Sequence, residues 1–167
     1  MRTLAVLGLA LLLAGCGFHL RGSGGLPDGM AVTYIQGIKP WSRLHGNFRD
    51  ALEGYGVVVT EQRDEATAVL YILEKDSRMD VLTVDIGGKV QELQQVQMIR
   101  FRVADSQQRV LVDEQTVAAK RDFVFIKEDI LAKERESQFI RRELERDVVN
   151  LAMLRIMAAG RSGQVSP

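Results

Sequence analysis

The sequence predicts an α+β domain, a two-layer sandwich in which two helices pack on one face of a mostly antiparallel four-stranded sheet. Three observations lead there. Apolar residues recur at helical spacing in two places, 41–55 and 134–159, and the segments before and between them read as strands bounded by glycine or polar turns. Strands joined by a turn as short as Gly87-Gly88 pair antiparallel. Hydrophobic residues make up 46% of the 167-residue chain and aromatic residues only 6%, which describes a folded domain with an aliphatic core.

The first strand is Met30 to Gly37, where β-branched and aromatic residues end in glycine. Pro40 opens a helix over 41–55, whose residues Leu44, Phe48, Ala51, Leu52 and Tyr55 fall three or four apart on one face; Gly54 and Gly56 end it. Val57-Val58-Val59-Thr60 is a short strand or the extended exit from that helix, and 62–65 is a solvated turn. From Ala66 to Leu73 both parities are apolar, as expected of an inner strand covered on two sides, and the strand can run on to Val84.

After the Gly87-Gly88 turn, the strand 89–103 alternates late in its course. Ile99, Phe101 and Val103 share one face, Met98, Arg100 and Arg102 the other, so only one side is core. Residues 105–108 turn the chain into a final strand, 109–121. The segment 122–133 mixes apolar and charged residues and reads as a loop with exposed hydrophobics or a helical turn. The last helix, 134–159, carries the stripe Ile140, Leu144, Val148, Leu151 and Leu154; Gly160 stops it, and 161–167 is a tail. With both helices on one side, the opposite face of the sheet is left partly apolar and is expected to meet a partner.

Ahead of the domain, Met1-Arg2 and the apolar run Leu4 to Leu13 lead to Leu13-Ala14-Gly15-Cys16. The run is too short to span a bilayer and has the order of a secretory signal. Its end resembles a bacterial lipobox, in which the chain is cut before the cysteine and the thiol is acylated. Residues 1–15 are thus a signal peptide and 16–29 the lipidated N-terminus and tether; 30–160 form one domain and 161–167 a flexible end. Cys16 is the only cysteine, so a secreted chain of this kind can form no internal disulfide, and lipidation accounts for the thiol. Gly17, where an aspartate would mark inner-membrane retention, resembles the outer-membrane class. Within the tether, Phe18, Leu20 and Arg21 have more apolar character than a spacer needs and suit contact with a partner or with the domain itself.

Lysine plus arginine equals aspartate plus glutamate at 22 each, which removes any global charge argument for nucleic acid. His19 and His45 are the only histidines and no nucleophile motif accompanies them, so neither an enzyme nor a metal site is expected, and no cofactor.

Cys16-Gly17-Phe18-His19-Leu20-Arg21-Gly22, followed by Leu26-Pro27, strand, helix and Gly56-Val57, resembles LptE, the LPS-assembly lipoprotein family of the Gram-negative outer membrane. The resemblance implies a non-enzymatic, outer-membrane subunit. It would plug the lumen of the LPS-assembly barrel LptD from the periplasmic side, assist folding of that barrel, and contact lipopolysaccharide on its way to the outer leaflet. Lys133, in Ile130-Leu131-Ala132-Lys133, resembles the family's basic residue at the lipid-binding tip. The family's second basic position, near the central hairpin, meets Asp85 instead. Arg100, Arg102, Lys120, Arg121 and Lys127 are the local cations that the sequence itself offers to lipid A phosphates. The alternative is an accessory lipoprotein, a pilotin or assembly factor, of a different outer-membrane barrel or secretin.

Overall fold

A strand–helix–strand unit begins the domain: β1 (Val32–Gln36), α1 (Arg43–Glu53) and β2 (Val58–Thr60). The computed structural model describes the backbone of residues 25–124 and 130–163, with side chains for 25–124 and 135–161. Ser42 caps α1, its side-chain oxygen accepting from the His45 backbone N at 3.3 Å. Because α1 carries the chain back before β2 starts, β2 lies parallel to β1, with Val32 opposite Val58 and Tyr34 opposite Thr60.

Three long elements of sheet follow, β3 (Ala68–Val84), β4 (Val90–Asp105) and β5 (Val110–Val124), and then α2 (Ile130–Gly163). Strand order is β2-β1-β3-β4-β5. The sheet is therefore five-stranded and mixed, which corrects the expected four-stranded, mostly antiparallel arrangement. β1 is parallel to both neighbours, and only β3, β4 and β5 form the antiparallel meander. The three residues of β2 are few enough to read as an exit from the helix, yet a strand reached through a crossover helix must run parallel.

Both helices lie on one face. Leu44, Phe48 and Leu52 of α1 join Leu144, Val148 and Ile156 of α2 in one core with Leu70, Ile99, Phe101 and Val103 of the sheet. The predicted stripe of α2 holds for Ile140, Leu144 and Val148 and then departs. The row continues every fourth residue through Ala152 and Ile156, while Leu151 and Leu154 are exposed. A small residue such as Ala152 lets the helix backbone come close to the sheet, and counting large apolar residues alone overlooks it.

Gly160 is not a stop either, since α2 runs on to Gly163. A Cβ there would meet Gly25 O at 2.6 Å and Pro27 N at 2.8 Å, so the glycine seats the backbone that enters the domain. Gly25 packs in turn on Met157. The entering chain is thus pinned to the C-terminal end of α2. Among the described residues no helix is long and apolar enough to cross a membrane.

His45, in the first turn of α1, is 4% exposed. Burial, then repulsion from Arg49, lowers its pKa below the ordinary 6.5, with Glu61 opposing weakly. The folded state therefore favours the neutral ring. That contribution is complete above 6.5 and is lost as pH falls through the lower folded value. Thermal melts from pH 7.5 down to about 5 should show falling stability, and His45→Gln should flatten the slope. An equal slope in both proteins would mean that another group titrates.

Candidate functional site

Beyond Tyr71 the sheet loses β1 and becomes a three-stranded arm. The change occurs where Gly37, at φ 98°, turns the chain away against the Ile72 carbonyl, and β3 bulges between Ile72 and Glu74. The arm ends in the turn 85–89. Asp85 Oδ1 accepts from the backbone N of Gly87 and of Lys89, both at 2.8 Å. The aspartate is thus consumed in forming the turn, and Lys89 follows at the tip, exposed.

Met79, Val81, Leu82, Val84 and Ile86 are all exposed along this end of the arm. Arg121, near the end of β5, lies 3.8 Å from Glu143 and 3.6 Å from Asp147, so the first turn of α2, which holds Lys133, falls about 15–20 Å further toward the tip. The tip combines these apolar side chains with the exposed Lys89, the chemistry that an anionic lipid needs. Sequence reasoning missed Lys89; its position directly after the Gly87-Gly88 turn was the available signal.

The structure disperses the remaining candidates. Arg100 and Arg102 project on the sheet face opposite the helices. Arg100 is paired with Glu114 at 2.6 Å and Glu74 at 3.1 Å, which together raise its pKa. Arg102 stacks on Tyr71, 4.5 Å from the ring centroid. Lys120 is exposed on the same face in the row Arg78, Val96, Lys120, and has no ion-pair partner among the described residues. Arg121 points to the other face and is engaged by α2, so it does not join a cluster with them. Lys127 lies outside the described residues, as do Cys16, Phe18, Leu20 and Arg21; the side chain of Lys133 does too.

The open face is partly apolar. It carries the small cluster of Val69, Tyr71 and Ala104 with Tyr34 alongside, and the buried Val96 between Arg78 and Lys120; Arg102 and Arg63 cover the Tyr71 ring. Further along, Asp76 and Asp80 hold Arg78 at 2.7 and 3.2 Å. Between α1 and α2 a shallow cleft of about 320 Å³ is lined by Asn47, Asp50, Ala51, Arg146, Val149 and Asn150, a set without a hydroxyl, thiol or imidazole nucleophile. Among the described residues no group of three or more His, Cys, Asp or Glu is placed to hold a metal ion.

Known proteins resemble this chain in sequence or in fold. The chain is 26% identical over 162 residues to the LPS-assembly lipoprotein LptE of Pectobacterium atrosepticum, covering 96% of this chain and 87% of that one. Against the protein of the same name from Photorhabdus laumondii it is 33% identical over 90 residues, spanning 53% of this chain and half the length of that relative. Among solved structures, an uncharacterized lipoprotein B from Nitrosomonas europaea superposes with a TM-score of 0.73 at 20% identity, over 88% of this chain and 94% of the other. The rare lipoprotein B of Shewanella oneidensis gives 0.63 at 19% identity, over 80% and 96%. Both share the fold. The family model for LptE, lipopolysaccharide-assembly, matches residues 31–156, from the start of the sheet to the last buried turn of α2, and the chain belongs to that family.

Proposed function

We propose that this protein is a non-enzymatic lipoprotein, anchored through Cys16 on the periplasmic side of the outer membrane. It plugs the lumen of the LPS-assembly barrel LptD, helps that barrel fold, and binds lipopolysaccharide at the tip of its arm during delivery to the outer leaflet. The observation that carries this reading is the separation of two ends. The entering chain is pinned at Gly160, whereas the amphipathic tip lies beside the start of α2, about 45 Å away along the helix. The hydrocarbon core of a bilayer is about 30 Å thick, so a domain tethered at one leaflet and enclosed by a barrel reaches the level of the other. A barrel lumen is polar, and the open face of the sheet, which carries Arg78, Arg100, Arg102 and Lys120, suits such surroundings. Phe18, Leu20 and Arg21 would meet the barrel wall near its periplasmic rim.

At the tip, Lys89 and Lys133 supply charge to lipid A phosphates while Val84 and Ile86 supply apolar contact. Lys89→Glu and Lys133→Glu should each weaken binding to lipopolysaccharide about ten-fold at fixed salt, with an unchanged thermal midpoint. Arg121→Glu should leave binding intact, because Arg121 is held by α2. Equal affinity across all three variants would remove the tip from the account.

A further inference from the structure

Two arginines on the open sheet face converge on one aromatic ring. The guanidinium carbon of Arg102 lies 4.5 Å from the centroid of Tyr71 and that of Arg63 lies 5.9 Å from it. Arg63 Nη2 donates to Tyr71 Oη at 3.0 Å, and the Gln108 carboxamide reaches the same hydroxyl through Nε2 at 3.1 Å and Oε1 at 3.3 Å. Two guanidiniums and one carboxamide are therefore gathered around a single phenol.

Their charge is uncompensated. Arg43, Arg49, Arg78, Arg100, Arg109 and Arg121 each have a carboxylate within 4.0 Å. Neither Arg63 nor Arg102 has one among the described residues. The acids beside Arg63 in its own turn do not reach it; Glu65 instead accepts from Thr60 Oγ1 at 3.2 Å. Two like charges at one ring with no carboxylate within 4.0 Å repel, and an anion bound to both reverses the sign of the interaction.

The arrangement is also built on rigid elements. Tyr71 is buried on the inner strand β3, and Arg102 stands directly opposite it in the β4 register. Gln108 sits in the β4–β5 turn at φ 64°, a conformation uncommon outside glycine. Asp105 fixes that turn, its Oδ1 accepting from the backbone N of Gln107 at 2.9 Å and of Arg109 at 2.8 Å. Planar guanidinium forks held in place in this way match an oxyanion that offers several acceptor oxygens.

We propose that Arg63, Arg102 and Gln108 form a binding site for a phosphate group on the open face of the sheet. It is distinct from the tip, since Tyr71 and Val84 are about 40 Å apart along β3. It stands whether or not the tip binds lipopolysaccharide. The phosphate can belong to a glycolipid headgroup or be free in solution, and the chemistry of recognition is the same.

The test titrates inorganic phosphate into the full-length lipidated protein in detergent at constant ionic strength, following the arginine Nε–Hε resonances. Saturable shifts of Arg63 and Arg102 are expected, with affinity at least ten-fold weaker in Arg63→Gln and in Arg102→Gln, and unchanged in Arg155→Gln, an exposed residue of α2. If Arg102→Gln does not fold, Arg102→Lys, which keeps the charge and loses the planar fork, is read in its place with the same loss. Displacement of phosphate by lipopolysaccharide, and not by its dephosphorylated form, assigns the site to a lipid phosphate; no displacement by either assigns it to free phosphate. Both results sustain the proposal. Absence of a saturable shift overturns it, as does an equal response to acetate or chloride.

Discussion

Phe101→Ala is expected to lower stability by about 3–5 kcal/mol, a large part of the 5–15 kcal/mol typical of a whole domain. Phe101 is fully buried on β4, the central strand of the antiparallel meander, and lies in the cluster that both helices cover. Its neighbours in the register, Ile72 and Gln115, are fixed by ladders on both sides, so the void can close little. Urea denaturation should show the midpoint falling with an unchanged slope. A loss under about 1 kcal/mol would mean that helices and sheet are packed less closely than described.

Gly37→Ala should cost about 3 kcal/mol or more, although it adds a single methyl group. At φ 98° an L side chain is strained, and its Cβ would land in the Ile72 carbonyl oxygen. The backbone of β3 cannot yield there without opening its pairing with β1. Gly46→Ala is the contrasting case: nothing lies within 4 Å of its Cβ, and the residue is inside α1. That change should stabilise by about 0.5–1 kcal/mol. If the two glycines respond alike in thermal melts, the close approach of β1 to the β3 bulge is not real.

Much of this was legible in the sequence because spacing reports burial directly. Ile99, Phe101 and Val103 alternate, and all three are fully buried. Leu44, Phe48 and Leu52 lie on the buried side of α1. What escaped depends on distant parts of the chain. β2 has too few residues to announce itself, and the parallel pairing of β1 follows from where α1 returns the chain. Gly160 resembles a terminator until the segment 25–27 is seen to cross it. Leu151 and Leu154 fit a helical stripe as well as Ala152 and Ile156 do, and only the sheet decides between them.

The candidate site was less legible than the fold. The motif around Cys16 pointed to the family but lies outside the described residues, whereas the family match rests on 31–156. Basic residues could be named, but not which of them are neutralised. Arg100 is held by Glu74 and Glu114 through a three-strand register, and Arg121 by Glu143 and Asp147 of α2 through the packing of helix on sheet. Lys89 was obscured by Asp85, whose role in the turn appears only once its oxygens are seen to accept from the backbone.

One preparation tests the central claim most directly: the native protein extracted from outer membranes in mild detergent, with its partners and N-terminus identified by mass spectrometry. A lipid-modified Cys16 at the N-terminus, and an equimolar complex with the LPS-assembly barrel, are the predicted result. Recovery of the protein alone, with a different barrel or secretin, or with its leader still attached, would contradict the account.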